Sequence, residues 1–222
     1  MFHGKHSHDR LERASIRAGV DLTPAQVAQC EEFARWLGTE ATDAGGIGPD
    51  EGSRLLDRHV ADSIIFAAAW ERDPDNLLDA GSGVGLPGIP LAITHPNTQV
   101  TLLDRSGERC RLARRAVRVL GLENVTVEQR DVLQAVGLRD VVTFRASLQP
   151  MAALEAALPL LTDRGCAVVG MSRTTEPDQS LEPPAGTTLD LLRIDAGVLD
   201  SPAWLLRMIP TSTRTPDSDP SS

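Results

Sequence analysis

Apolar positions along this chain change their spacing near Pro74, and the change divides it in two. Before it, repeats of three and four residues dominate. From Thr23, an N-cap with Pro24 at the first helical position, Val27, Phe33, Trp36 and Leu37 fall on one face and predict an amphipathic helix. The segment GGIGPDEG ends it and opens another. That second helix, from about Asp50 to Trp70, sets Leu56, Val60, Ser63, Ile64 and Ala67 on one face and Arg54, Arg58 and Asp62 on a more polar side. Residues 1–20 are polar and basic with poor periodicity, which predicts a mobile terminus containing His3, His6 and His8.

Beyond Pro74, short apolar runs alternate with helical ones, the pattern of an α/β fold. Strands are predicted at Asn76–Ala80, Gln99–Asp104, Val125–Gln129, Asp140–Arg145, Cys166–Met171, Thr188–Ile194 and Trp204–Ile209. Helices are centred near Leu91, Ala113, Leu133 (short) and Leu154. A Pro-, Ser- and Glu-rich loop covers 173–187. The last two strands have no predicted helix between them, so they should be antiparallel neighbours, since a parallel crossover takes about a dozen residues or more. The organisation expected is a mobile terminus (1–20), a helical extension (21–72), a Rossmann-like domain with a seven-stranded, mostly parallel sheet (73–210) and a disordered tail (211–222).

Composition narrows the function. A chain of 222 residues buries one good-sized core. No apolar run approaches the roughly 20 residues that span a bilayer, and the start lacks the apolar centre of a signal peptide, so a cytoplasmic protein is expected. Three widely spaced cysteines provide neither a disulfide framework nor a CxxC site, and no metal is expected. A net charge of −9 opposes binding to a phosphate backbone unless a basic patch forms locally. Arg109, Arg111, Arg114, Arg115 and Arg118 crowd one helix; they form either such a patch or an ordinary solvated face.

The candidate chemistry lies in NLLDAGSGVGLPG, which runs from a buried strand into a helix. Gly81, Gly83 and Gly85 permit a sharp turn and the close approach of a nucleotide-like cofactor. Gly83, Gly85 and Gly88 also satisfy the GxGxxG spacing of dinucleotide enzymes. Asp79, two residues before the first glycine, separates the two readings: a carboxylate there suits a cofactor with an amino-acid moiety and a sulfonium charge and disfavours a pyrophosphate. The expected cofactor is therefore S-adenosyl-L-methionine. Asp104 ends the second strand, where an acid can accept ribose hydroxyls or cap the next helix, and Asp131 follows the third strand, as an adenine contact or a cap.

Exclusion narrows the methyl acceptor. Exocyclic amine chemistry typically uses an Asp/Asn-Pro-Pro-aromatic loop, but the chain has no tyrosine and its one Pro-Pro lies between Glu182 and Ala185. Attack on a pyrimidine carbon needs a cysteine near the fourth strand, whereas Cys166 falls inside the fifth. What remains is an atom with a usable lone pair, such as guanine N7, or a hydroxyl served by a base that no residue identifies; no catalytic residue is named. Phe144 is placed to stack on an acceptor or to pack in the core.

With these residues on the page, the chain resembles the glucose-inhibited division protein B family, the bacterial small-subunit ribosomal RNA guanine-N7 methyltransferases. The likeness rests on LLDRHVADS (55–63), LLDAGSGVGLPGIPLAITHP (77–96) and VTLLDRSGER (100–109). The resemblance implies a class I methyltransferase fold, cofactor contacts from Gly81, Leu86, Asp131, Val132 and Arg145, a helix carrying Arg58 and His59 beside the cofactor, Arg109 in a basic strip meeting RNA, and 16S rRNA or the 30S subunit as partner, acted on by a monomer. Phe144, Met171 and Glu108 depart from the family pattern, which leaves a small-molecule methyltransferase and a cofactor-binding paralogue without rRNA activity as alternatives.

Overall fold

The computed structural model describes residues 3–48, 55–171, 177, 181–199 and 201–211. The start of the second predicted helix, residues 173–176 and 178–180 of the loop at 173–187 and nearly all of the tail at 211–222 lie outside the described residues.

Seven strands form one sheet: β1 (Asn76–Ala80), β2 (Gln99–Asp104), β3 (Val125–Gln129), β4 (Arg139–Arg145), β5 (Leu161–Gly170), β6 (Thr187–Ile194) and β7 (Ala203–Pro210). Their order across the sheet is β3-β2-β1-β4-β5-β7-β6. The first five pair in parallel, and β7 runs antiparallel to both β5 and β6. The three leading strands have the predicted bounds: β1 and β2 are short apolar runs closed by Gly or Asp, and β3 alternates Val with polar residues before a polar turn. β5 begins five residues earlier than predicted; Asp163 and Arg164 conceal its polar, exposed start, which precedes the buried Cys166–Val169 run.

Right-handed crossovers dictate the layers. Going from β1 outward to β2 and β3 places α4 (Gly88–Thr94) and α5 (Gly107–Leu120) on one face, and going from β4 to β5 in the other direction places α6 (Pro150–Ala157) on the opposite face. α5 starts at Ser106, whose hydroxyl accepts from Arg109 N, and stops at Gly121 in the left-handed region (φ 64°). The β3–β4 crossover has only one 3₁₀ turn, Val132–Gln134, and leaves Leu133 and Val136 exposed.

The helical extension packs on the α4–α5 face. α2 (Pro24–Trp36) begins with a complete capping box: Thr23 Oγ1 accepts from Gln26 N, while the Gln26 side chain reaches back to Thr23 N. It continues as a wider turn through Ala41, and the second helical stretch runs from Leu55 through α3 (Ala61–Ile64) to Ala69. At the chain start the structure corrects the expected mobile terminus. His3–Arg17 is a helix, α1, which buries Leu11, Ala14 and Ser15 against α3 and the single turn α7 (Ala196–Leu199).

Candidate active site

The strand order reverses between β1 and β4, so the loops leaving their C-terminal ends diverge and open a crevice. A cleft of about 580 Å³ lies there. Its floor is the glycine loop after β1, and its walls come from the ends of β2, β3 and β4 and from Gly46–Gly48 and His59 of the helical extension.

The glycine loop is pinned from below. Gly81 N and Ser82 N donate to the Leu103 carbonyl at 2.7 and 3.0 Å, and Gly83 N donates to Asp104 Oδ2 at 2.9 Å. The glycines serve different purposes. A Cβ on Gly81 would meet Ser147 Cβ at 2.3 Å, one on Gly85 would meet Ile89 Cδ1 at 2.4 Å, and one on Gly88 would meet Leu102 Cδ2 at 2.2 Å. Only at Gly83, among these four, would a Cβ enter open space, and Gly83 borders the cleft. Gly81 and Leu86 also border it. Gly85 does not, which corrects its expected place at the ligand: its positive φ (104°) serves the turn, and its missing side chain makes room for Ile89.

Asp79 needs a second correction. Its carboxyl is fully buried and points into the fold, where Oδ2 accepts from Gly88 N at 2.7 Å and Oδ1 accepts from Thr143 Oγ1 at 3.1 Å. Burial pushes its pKa from 3.8 up to about 7, against the lowering effect of those two hydrogen bonds and of Arg145. It braces the loop against β4 and does not line the cleft.

Asp104 and Asp131 reach the cleft. Asp104 is 5% exposed, and its second oxygen accepts from Ser106 N at 2.8 Å, so Ser106 rather than Asp104 caps α5. Each oxygen retains acceptor capacity toward a ligand. Asp131 caps the 3₁₀ turn by accepting from Leu133 N at 3.0 Å and also borders the cleft beside Val132, so its two expected roles are compatible.

Phe144 is 1% exposed and belongs to the core formed with α6, the second of its two expected uses, while it also touches the cleft lining. Arg145 borders the cleft, with its guanidinium turned toward the helical extension. Arg58 is exposed on that extension and outside the cleft lining, whereas its neighbour His59 is part of it. Of the five arginines of α5 only Arg109 borders the cleft, 4.0 Å from Asp104 Oδ2. Arg114 donates to the Val127 carbonyl, Arg115 contacts Glu40 and Arg111 lies 4.0 Å from Glu108.

Sequence reasoning missed Arg105, Arg130, Ala146 and the Gly46–Gly48 wall. Arg105 and Arg130 flank Asp104 and Asp131 in sequence, so strand ends ought to have suggested them. Ala146 is a non-glycine residue at φ 52°, a strained backbone held at the lip of the cleft, and no sequence signal marks it. All three cysteines are buried and none lines the cleft; burial raises the Cys30 thiol to about 12 and Cys166 to about 11 and also raises Cys110, which disfavours the thiolate.

A sheet of this order, with a reversed penultimate-position strand and a glycine-floored crevice at its switch point, defines a class I methyltransferase fold. Solved structures agree on the fold: the precorrin-6y C5,15-methyltransferase of Geobacter metallireducens (TM-score 0.50, 13% identity, 68% of this chain and 87% of that one) and TrmN of Thermus thermophilus (TM-score 0.53, 19% identity, 70% and 53%). Residues 26–182 match the GidB family model, described as rRNA small subunit methyltransferase G. The chain is 31% identical to the ribosomal RNA small subunit methyltransferase G of Frankia casuarinae, covering 88% of this chain and 78% of that one, and 31% identical to its namesake in Paenarthrobacter aurescens, covering 90% and 95%. The chain belongs to this family of methyltransferases.

Proposed function

We propose that this protein methylates N7 of a guanine in small-subunit ribosomal RNA, using S-adenosylmethionine as donor and acting as a monomer on the 30S subunit or its 16S rRNA. The observation that carries the RNA reading is the arginine content of the cleft: Arg105, Arg109, Arg130 and Arg145 border it against Asp104 and Asp131, in a chain of net charge −9. Field lines of a strongly anionic substrate converge on such a rim even when the protein as a whole is acidic.

The residues fit the donor. The open face of Gly83 gives its backbone room, the remaining lone pairs of Asp104 suit a pair of ribose hydroxyls, and Asp131, Val132, Leu86 and Gly81 surround the rest of the cleft. When bound, S-adenosylmethionine supplies an electrophilic methyl group. Guanine N7 carries its own lone pair, so the protein needs no general base; its contribution is to hold acceptor and methyl carbon in line at about 3 Å and to exclude competing geometries. The Gly46–Gly48 wall and the Ala146–Leu148 turn both line the cleft.

The acidic total supports a second reading, transfer to a small molecule. One assay separates the two: tritiated methyl incorporation into purified 30S subunits, naked rRNA and a small-molecule extract. The rRNA reading expects label in 30S subunits or rRNA at a guanine that chemical cleavage and primer extension locate. Label confined to the extract would establish the second reading in its place.

A further inference from the structure

Ser63 lies in α3, on the face of the helical extension that otherwise buries Val60, Ile64 and Ala67. It is 0% exposed and does not border the cleft. A hydroxyl buried among apolar neighbours needs partners. Its proton goes to the His59 carbonyl, four residues back, at 2.6 Å. Serines within helices often make that bond, and alone it says little about function. Here it leaves the oxygen's lone pairs for a second partner. Arg145 Nη1 donates to Ser63 Oγ at 3.0 Å and to the same carbonyl at 3.3 Å, while Nη2 lies 3.1 Å from His59 Nδ1. A carbonyl only accepts and a guanidinium only donates, so the direction of each bond through the serine is fixed.

Arg145 ends β4 and borders the cleft, so the serine meets it from an element that folds separately in sequence. Three acceptors within one helical turn, the His59 carbonyl, His59 Nδ1 and Ser63 Oγ, hold two of its nitrogens. A long arginine loses rotamer freedom when a ligand fixes it, and one that is already held binds at less cost. Of the three acceptors, one is backbone and His59 itself borders the cleft. Ser63 alone among them is a side chain away from the cleft, so its influence on a ligand passes through the arginine.

We propose that Ser63 is a positioning residue for S-adenosylmethionine binding: it holds the Arg145 guanidinium at the cleft in advance of the donor and so ties donor affinity to the docking of the helical extension. The proposal rests on the reading that Arg145 is among the donor's contacts in this cleft. Coupling of this kind is reciprocal, so the bound donor in turn strengthens the docking of the extension, which contributes His59 and the Gly46–Gly48 wall.

The test uses the full chain with Ser63→Ala, Arg145→Gln and the two combined. Ser63→Cys, close in size but a poorer acceptor, keeps the question answerable if the alanine variant fails to fold, and Leu11→Ala is a control that loosens the extension through α1. Donor affinity is read by titration calorimetry, stability by urea melts, and transfer at saturating donor by tritiated methyl incorporation into 30S subunits. Ser63→Ala should raise the donor Kd about five- to twentyfold, the scale of one hydrogen bond to a charged group, and keep kcat within about threefold of wild type. Ser63→Cys should fall between the two. Arg145→Gln should raise Kd further, and adding Ser63→Ala to it should change Kd by no more than about twofold. Leu11→Ala should lose stability yet hold Kd within about twofold of wild type. A Ser63→Ala Kd equal to wild type, a loss that adds in full to that of Arg145→Gln, or an equal loss in Leu11→Ala would overturn the proposal. So would an Arg145→Gln Kd equal to wild type, which removes the arginine from the donor site. The calorimetry decides the matter whatever the acceptor is; failure of the wild-type protein to label rRNA would instead overturn the rRNA reading.

Discussion

Asp79 shows how a single side chain makes the loop pH-sensitive. Its folded pKa of about 7 lies above its ordinary 3.8, so between those values the native state holds a proton that the unfolded chain has released. Stability from this group is full below pH 4, declines as pH rises toward 7 and is level beyond, with a slope of at most about 1.4 kcal/mol per pH unit. Asp79→Asn keeps an acceptor for Gly88 N and cannot ionise. Urea melts at several pH values should show the variant gaining on wild type from pH 4 to 7; a difference independent of pH in that range would refute the account. The glycines give a paired expectation. Gly83→Ala should retain the fold at a cost of about 1–2 kcal/mol for its φ of 58°, yet weaken S-adenosylmethionine binding at least about tenfold by placing a methyl in the cleft. Gly88→Ala should lower stability by about 1–3 kcal/mol or more, because its Cβ would press on Leu102 and on Asp79 Oδ2, 2.8 Å away. Calorimetry and melts on the two variants distinguish a glycine needed for a ligand from one needed for packing. Spacing made all four glycines legible, but which of them faces a ligand depends on Ile89, Ser147 and Leu102, side chains whose positions no local pattern specifies.

At the scale of elements, local signals succeeded where caps and apolar runs coincide. Ser106 and Gly121 bound α5, Thr23, Pro24 and Gln26 start α2, and β1 and β2 carry buried apolar runs. α1 escaped because its sequence has few apolar residues, and one of them, Ile16, is 68% exposed. Its helicity draws on contacts with α3 and with α7, more than 170 residues away, and tertiary packing rather than propensity is what usually secures a helix of this length. Leu11, 2% exposed, should therefore matter as a core residue does: Leu11→Ala is expected to cost about 2–4 kcal/mol in urea denaturation, and a loss below about 0.5 kcal/mol would mean that α1 is not docked in solution.

For the whole molecule, charge distribution counts for more than charge total. Arg105 and Arg130 are exposed at the mouth of the cleft, and replacing both with alanine should weaken binding to 30S subunits while reducing the slope of log affinity against log salt by about 1.4–1.8; a slope equal to wild type would remove them from the RNA path. Among the described residues no helix is long and apolar enough to cross a membrane. The chain by itself determined the alternation that yields a parallel sheet, the glycine turn and the acids that end β2 and follow β3, because those features are written in neighbouring residues and in the period of burial. Only the tertiary structure decided that Asp79 turns inward, that Phe144 joins the core, that four arginines share one cleft with the glycine floor and that Arg145 grips His59. Each of these depends on which strand lies beside which, and side chains some twenty to eighty positions apart meet only after the sheet has ordered itself.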